Sequence, residues 1–153
     1  MGIEFARVEI IGRAKGQSAI KAAAYRSGTR LRDERLGRTV DYSYRANEVA
    51  HSEILLPADA PESLRDRETL WAGIELAEDK STRRATAQLA KDHLLALPRE
   101  LTLEMQIALV RDFALETFVA QSLAADYSVY QHTPDKARPS WCATYSTGGT
   151  AWT

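Results

Sequence analysis

The residue with the clearest chemical potential in this 153-residue sequence is Tyr25, which lies near the end of an alanine-rich stretch from Gln17 to Gly28. Alanine and lysine favour helix, and Gly28 stands where a C-terminal cap would fall. The phenol is therefore expected in the last helical turn, open to a large substrate. A phenol can attack phosphorus if a base or cation assists it and positive charge faces the phosphate oxygens. The alternative is a core tyrosine on an amphipathic helix.

Basic residues cluster around Tyr25 in the sequence. Residues 1–45 contain ten Lys or Arg against five Asp or Glu, whereas the whole chain has a formal net charge of −1. A basic N-terminal region suits the steering of phosphates, and an acidic remainder would repel DNA. A solvated basic surface is the alternative. The residues predicted to contact DNA are Arg13, Lys15, Lys21, Arg26, Arg30 and Arg32.

Strand and helix patterns alternate along the chain. Strands are predicted at 3–11, 51–57, 94–97 and 125–131, and helices at 17–28, from about 65 to 80 with an N-cap signal at Asp59, and from Thr102 to about 119. This order predicts an α/β (α+β) sandwich with helices on one face of a sheet. Residues 30–44 are interpreted as a mobile segment leading into a short strand. There Tyr42 and Tyr44 either stack on unpaired bases or pack on the strand.

The composition, 44% hydrophobic and 27% charged, is typical of one compact domain. Apolar runs are too short to span a bilayer, and no secretory signal pattern opens the chain, so a cytoplasmic protein is expected. The single cysteine, Cys142, excludes an internal disulfide and a cysteine-rich metal cluster.

Several motifs together resemble the amino-terminal relaxase domain of the MobA/MobL family. They are Phe5–Arg13, Lys15–Ala19, Ala22–Gly28, His51–Pro57, Glu68–Trp71, Ala87–Asp92 and Ala96–Leu101. The similarity runs from about residue 3 to about 132 of a single domain spanning 1–153, and 133–153 is a divergent tail. The resemblance implies a histidine-hydrophobe-histidine endonuclease fold, with a largely antiparallel sheet of about four or five strands.

The resemblance also implies a chemistry. Family members nick one strand of a transfer origin with a tyrosine that becomes joined to DNA, and Tyr25 matches that position. Asp92 matches an acid that would serve as base or hydrogen-bond partner, although a surface acid is the alternative. The expected partners are single-stranded or transfer-origin DNA and accessory mobilisation proteins. The expected cofactor is a divalent metal, Mn²⁺ or Mg²⁺, held by histidines.

The histidine pair itself is missing from the sequence. His132 lies near the position of one family ligand, but Cys142 and Thr144 stand where His-x-His is expected. Cysteine can bind a metal as thiolate, whereas threonine is a poor replacement. His51 and His93 are interpreted as structural or surface residues rather than ligands.

Three functions follow as hypotheses. The first is a relaxase-type nickase for plasmid mobilisation, present as an incomplete or weakly active copy. The second is a non-catalytic, single-stranded DNA-binding remnant of a relaxase, and the third is a purely structural fragment. Tyr25 and its motif favour the first hypothesis, whereas Cys142 and Thr144 favour the second.

Overall fold

The computed structural model describes residues 5–80, 82, 84–86, 88–98, 100–130 and 140–147, and for residues 5, 6 and 140–147 it describes the backbone alone. The strands are β1 Phe5–Gly12, β2 Arg30–Asp33, β3 Arg38–Asp41, β4 Val49–Leu55, β5 Gln88–Leu97, β6 Ala125–Tyr130 and β7 Ser140–Thr147. The α-helices are α1 Ala19–Ser27, α2 Arg67–Asp79 and α3 Leu103–Thr117. Short 3-10 helices occupy Arg13–Lys15, Ser43–Glu48, Glu62–Arg65, Arg84–Thr86 and Val119–Gln121.

Five strands form one antiparallel sheet in the order β1-β5-β7-β6-β4, and β2 and β3 form a separate hairpin. This arrangement confirms the prediction of a largely antiparallel sheet with helices packed on it. β7 is the central strand, so its register with β5 and β6 determines which residues lie on each face.

Helices cover both faces of the sheet, which corrects the expectation that they share one face. On one side, α1 and α2 pack over a core that includes Ile20, Trp71 and Ala90. On the other, α3 packs over a second core that includes Leu95 and Val129. The physical reason is that the buried strands carry apolar residues at successive positions, so each face presents a surface that must be covered.

The helix that carries Tyr25 begins and ends as its sequence predicts. The Ser18 hydroxyl accepts a hydrogen bond from the Lys21 backbone N–H at 3.2 Å. Gly28 caps the other end in the left-handed conformation, with φ of 65°. A Cβ at Gly28 would lie 3.1 Å from backbone atoms of Arg45 and Ala46. Glycine therefore permits both the cap and the close approach of the 3-10 helix Ser43–Glu48.

Two local expectations were wrong. Residues 30–41 form a hairpin of two strands where the sequence predicted one, and in its turn Asp33 Oδ1 accepts the Leu36 N–H and Gly37 takes a positive φ of 64°. Helix α2 is capped by Asp66 rather than Asp59, since the Asp66 carboxylate accepts hydrogen bonds from the Thr69 backbone N–H and hydroxyl.

A buried ion pair ties α2 to the sheet. Arg67 donates to both carboxylate oxygens of Asp126 at 2.7 and 2.9 Å, and Trp71 Nε1 donates to Asp126 at 2.9 Å. Asp126 is only 3% exposed, so these donors stabilise a charge that has lost its water. Within the described ranges, no helix has the length and apolar content needed to cross a bilayer.

Candidate active site and DNA-binding surface

Tyr25 lies at the wall of an open cavity between α1 and the sheet. Its side chain is partly in solvent, and the residue is 40% exposed. The cavity has a volume of about 340 Å³. It is lined by Glu9, Ile11, Gly16, Gln17, Ser18, Lys21, Ala22, Tyr25, Arg26, Tyr42 and Asp92. Ala22 of α1 lines the cavity with little bulk, and the phenol can be reached from outside.

Arg45 and Tyr42 hold the Tyr25 ring from two sides. The Arg45 guanidinium lies 3.9 Å from the centre of the ring, and one of its nitrogens donates to the Tyr25 backbone carbonyl. The Tyr42 ring meets the Tyr25 ring edge to face at 5.2 Å. Arg45 itself is oriented by an ion pair with Glu48 at 3.1 Å. These contacts restrict the phenol to one orientation beside a cation.

A second ion pair lies beneath the phenol. Arg26 donates to Asp92 Oδ2 at 2.8 Å, and its guanidinium carbon lies 5.7 Å from the centre of the Tyr25 ring. Asp92 is 5% exposed, and its Oδ1 has no hydrogen-bond partner among the side chains that the structure describes. The Tyr130 hydroxyl donates to the Arg26 backbone carbonyl, which fixes the end of α1 on β6. Asp92 therefore positions a cation at the site, and its role as a base stays a prediction.

The predicted DNA-binding residues divide into two groups. Arg13 is 6% exposed at its side chain and forms ion pairs with Glu75 at 2.8 Å and Asp79 at 2.7 Å. Burial opposes the charge, but the two carboxylates outweigh it, so the pKa of Arg13 is raised above its ordinary value. This burial argues against a phosphate contact for Arg13. Arg26 is likewise held by Asp92.

The other predicted cations are exposed. Lys21 lines the Tyr25 cavity, whereas Lys15, Arg30 and Arg32 lie outside its lining. The Lys15 ammonium donates to the Ile10 carbonyl, and Arg32 forms an ion pair with Glu34 at 3.2 Å. Of this group, Lys21 is the cation that the structure brings next to Tyr25.

The histidines inside the described residues contact aromatic side chains. His51 Nε2 lies 3.2 Å from the Tyr127 hydroxyl, and the His93 ring centre lies 4.7 Å from that of Phe118. Both contacts are on the α3 side of the sheet, away from Tyr25. His132, the predicted metal ligand, lies outside the described residues.

The register of β7 bears directly on the predicted metal site. Cys142 is paired with Leu95 and Val129, whose side chains belong to the core beneath α3. Thr144 is paired with His93 and Tyr127 on that same side. Directly paired residues of antiparallel strands lie on the same face of a sheet. Positions 142 and 144 are therefore on the sheet face opposite Tyr25, and their role as metal ligands stays a prediction.

The β7 positions on the Tyr25 face are 141, 143 and 145. Tyr145 is paired with Asp92, and Ala143 is two positions away on the same face. Because the side chains of a strand alternate between its two faces, a shift of one residue would exchange the positions on each face. Trp141, Ala143 and Tyr145 provide no imidazole, carboxylate or thiolate for a divalent ion. The residues present do not fit a His-x-His site, and within the described part of the chain no three His, Cys, Asp or Glu side chains form a metal-binding cluster.

Sequence reasoning missed Arg45 as a site residue. Only its position in the basic N-terminal region marked it, because its contact with Tyr25 depends on the approach permitted by Gly28. Arg38 and Arg84 were also missed, and they line a second cavity beside the start of α1. Arg84 lies far from Tyr25 in the sequence, so no local pattern could place it near α1.

The fold is a five-stranded antiparallel sheet between helices with an exposed tyrosine on its first helix, and sequence similarity identifies its family. The MobA/MobL family model matches residues 17–140. The chain belongs to the MobA/MobL family.

Curated relatives agree with this assignment. The chain is 40% identical over 144 residues to the conjugal transfer protein TraA of Rhizobium radiobacter, covering 88% of this chain and 12% of that protein. It is 35% identical over 130 residues to the mobilization protein MobL of Acidithiobacillus ferridurans, covering 85% and 32%. It is 34% identical over 130 residues to the probable mobilization protein MobA of Bifidobacterium longum, covering 85% and 22%. The chain thus spans less than a third of each relative's length in these three pairs.

A solved structure described as the molecular basis of vancomycin resistance transfer in Staphylococcus aureus has a similar fold. The TM-score is 0.82 at 25% sequence identity, and the match covers 94% of this chain and 69% of that one.

Proposed function

We propose that this chain is the relaxase-type domain of a mobilisation protein, and that it binds one strand of transfer-origin DNA and nicks it with Tyr25. The observation that carries the proposal is the Tyr25 phenol, exposed at an open cavity and held by Arg45 and Tyr42. Relatives named for conjugal transfer and mobilisation support the biological setting.

The proposed reaction is a transesterification. The Tyr25 oxygen attacks the scissile phosphorus and forms a phosphotyrosine diester, while the bond from phosphorus to the leaving strand oxygen breaks. The phenol proton is lost and the leaving oxygen gains a proton, so the strand end departs as a hydroxyl. Lys21 lines the cavity, and together with Arg26 and Arg45 it provides positive charge near the reacting phosphate. This positive charge stabilises the negative charge that develops on the phosphate oxygens in the five-coordinate transition state.

In the family, a divalent metal polarises the phosphate oxygens, but the β7 residues of this chain do not fit that group. The proposed reaction therefore uses Tyr25 and its neighbouring cations, and we expect it to be slow, as in an incomplete copy. The missing ligands favour a second candidate function, a single-stranded DNA-binding remnant without nicking activity. Formation of a covalent protein–DNA adduct distinguishes the nickase, which forms it, from the DNA-binding remnant, which does not.

The test is an adduct assay with a panel of single-stranded transfer-origin oligonucleotides, run in Mn²⁺ and in chelator. The expected result is a slowly formed, denaturation-resistant protein–DNA adduct that Tyr25→Phe abolishes while DNA binding persists. Tyr44→Phe is the matched control, because Tyr44 is 73% exposed and lies outside the cavity lining. Binding without adduct in the native protein would select the remnant function.

A further inference from the structure

A second cavity of about 500 Å³ adjoins the Tyr25 cavity and is strongly basic. It lies between the tip of the β2–β3 hairpin, the start of α1 and the 3-10 helix Arg84–Thr86. We call this cavity the basic groove, and the described residues of its lining include no Asp or Glu. The lining residues are Arg13, Gly16, Gln17, Ser18, Lys21, Arg35, Leu36, Arg38, Arg84 and Ala85.

The two cavities share part of their walls. Gly16, Gln17, Ser18 and Lys21 line both of them. The start of α1 therefore separates the basic groove from the Tyr25 cavity, and Lys21 lies at the junction. A ligand that occupies the groove can continue directly to the phenol.

The five cations of the groove differ in whether a carboxylate of the protein already neutralises their charge. Arg13 is buried against Glu75 and Asp79, and Arg35 is paired with Asp79 at 3.1 Å. Within the described residues, Lys21, Arg38 and Arg84 form no ion pair. All three are exposed. Such unpaired cations contribute most to the free energy of binding a polyanion, because no carboxylate of the protein has to be displaced first.

We propose that the basic groove binds the sugar–phosphate backbone of a DNA single strand whose next nucleotides enter the Tyr25 cavity. This inference rests on the proposed function and adds the path of the strand. A concave groove bounded by a hairpin tip and a helix accepts one extended chain, whereas a duplex presents a broad convex surface. The Tyr25, Tyr42 and Tyr44 rings lie beyond Lys21 and offer base-stacking surfaces for the continuing strand.

Salt dependence tests the groove without any nicking. The triple variant Lys21→Gln, Arg38→Gln and Arg84→Gln is compared with the native chain, both carrying Tyr25→Phe and both in chelator. The probe is a labelled single-stranded oligonucleotide of mixed sequence, about 20 nucleotides long. Loss of three phosphate contacts should reduce the slope of log affinity against log salt by about 2.

The matched control is the triple variant Arg65→Gln, Lys91→Gln and Arg111→Gln. It removes the same charge from exposed positions outside both cavity linings. Its salt slope should equal that of the native chain. An equal reduction in both triple variants would show a diffuse charge effect and overturn the proposal, as would an unchanged slope in the groove variant. A larger loss of affinity for duplex than for single-stranded DNA would overturn the choice of ligand.

Photocrosslinking provides a second measurement that does not depend on charge. Leu36 lines the groove and is 48% exposed, whereas Leu76 is 59% exposed on α2 and outside the lining. A benzophenone amino acid at position 36 should crosslink to the single strand, and one at 76 should not. Equal crosslinking at both positions would contradict the proposal that the single strand binds in the basic groove. An adduct at Tyr25 without crosslinking at 36 would leave the proposed function intact and reject the strand path alone.

Discussion

At the scale of single residues, the site depends on how Tyr25 is held rather than on the tyrosine alone. Arg45 contacts both the backbone carbonyl and the ring face of Tyr25, and its side chain is 14% exposed. A planar guanidinium can make both contacts at once, whereas an ammonium cannot. Under the proposed function, Arg45 is therefore a positioning residue for the Tyr25 phenol.

Replacing Arg45 by lysine should impair the reaction but not the binding of DNA. Loss of the stacked guanidinium is expected to slow adduct formation about tenfold, which corresponds to a cation–π contact worth about 1 to 2 kcal/mol. The measurement is the rate of adduct formation at saturating oligonucleotide, with the affinity measured in parallel. NMR of ring-labelled tyrosine should show a shifted Tyr25 resonance in the free protein.

The control for this variant is Arg65→Lys, because Arg65 forms an ion pair with Glu62 at the same sequence spacing as Arg45 with Glu48. It should leave both the rate and the Tyr25 resonance unchanged. A native rate together with an unmoved Tyr25 resonance in Arg45→Lys would refute the positioning role.

At the scale of elements, helix ends were predictable where the signal is local. Ser18, Gly28 and Thr102 cap α1 and α3 as the sequence indicates, because capping uses residues within one turn. The N-cap of α2 was misplaced, because both Asp59 and Asp66 are residues that favour an N-cap, and Asp59 also has an acid, Glu62, three positions on. The geometry of residues 59–66, which includes the 3-10 helix Glu62–Arg65, decides between them.

The Asp66 cap should contribute stability that depends on pH. Hydrogen bonds from the Thr69 hydroxyl and then from its backbone N–H lower the pKa of Asp66 below its ordinary value of 3.8. A lowered folded-state pKa stabilises the fold above the unfolded-state pKa, and the contribution is lost as pH falls through the folded-state value. Asp66→Ala should therefore cost about 1 kcal/mol at neutral pH.

Urea unfolding followed by circular dichroism at a series of pH values measures this effect. The difference in free energy of unfolding between native and Asp66→Ala should narrow below about pH 4. Asp112→Ala, an exposed position within α3, is the control and should show little change. A difference that grows as the pH falls would mean that the cap is not the cause.

At the scale of the whole molecule, the two faces of the sheet differ in the polar features that they carry. Each face covers an apolar core, and the α1 and α2 face also carries Tyr25, the Arg26–Asp92 pair and both cavities. Periodicity and caps predicted the individual strands and the tyrosine helix, because these signals are local, whereas the antiparallel arrangement was implied by the family resemblance. The sequence could not predict the face of β7, because that depends on register with two distant strands.

The surface that surrounds the Tyr25 phenol was also not predictable from local sequence patterns. Arg45, Arg38 and Arg84 reach the site from separate elements, and nothing in their local sequence distinguishes them from other surface arginines. Conversely, Arg13 looked available in the sequence but is buried by Glu75 and Asp79. Long-range packing thus decides which cations are exposed and which are neutralised inside the fold.

Mass-spectrometric mapping of the DNA adduct after incubation with Mn²⁺ shows whether Tyr25 is the nucleophile. Comparing variants shows whether the rate of adduct formation is limited by the absence of metal ligands on the β7 face that Tyr25 shares. Three proteins are compared: the native chain, the variant Trp141→His with Ala143→His, and the register control Cys142→His with Thr144→His. The Mn²⁺ affinity of each protein is measured by calorimetry.

We expect the Trp141→His and Ala143→His protein to gain Mn²⁺ affinity and to form an adduct on the Tyr25 peptide much faster than the native chain. The register control should gain neither, because positions 142 and 144 are on the α3 face. Faster adduct formation in the register control would contradict the assigned face of β7. An adduct on another tyrosine, or none at Tyr25 in any of the three proteins, would contradict the assignment of Tyr25 as the nucleophile.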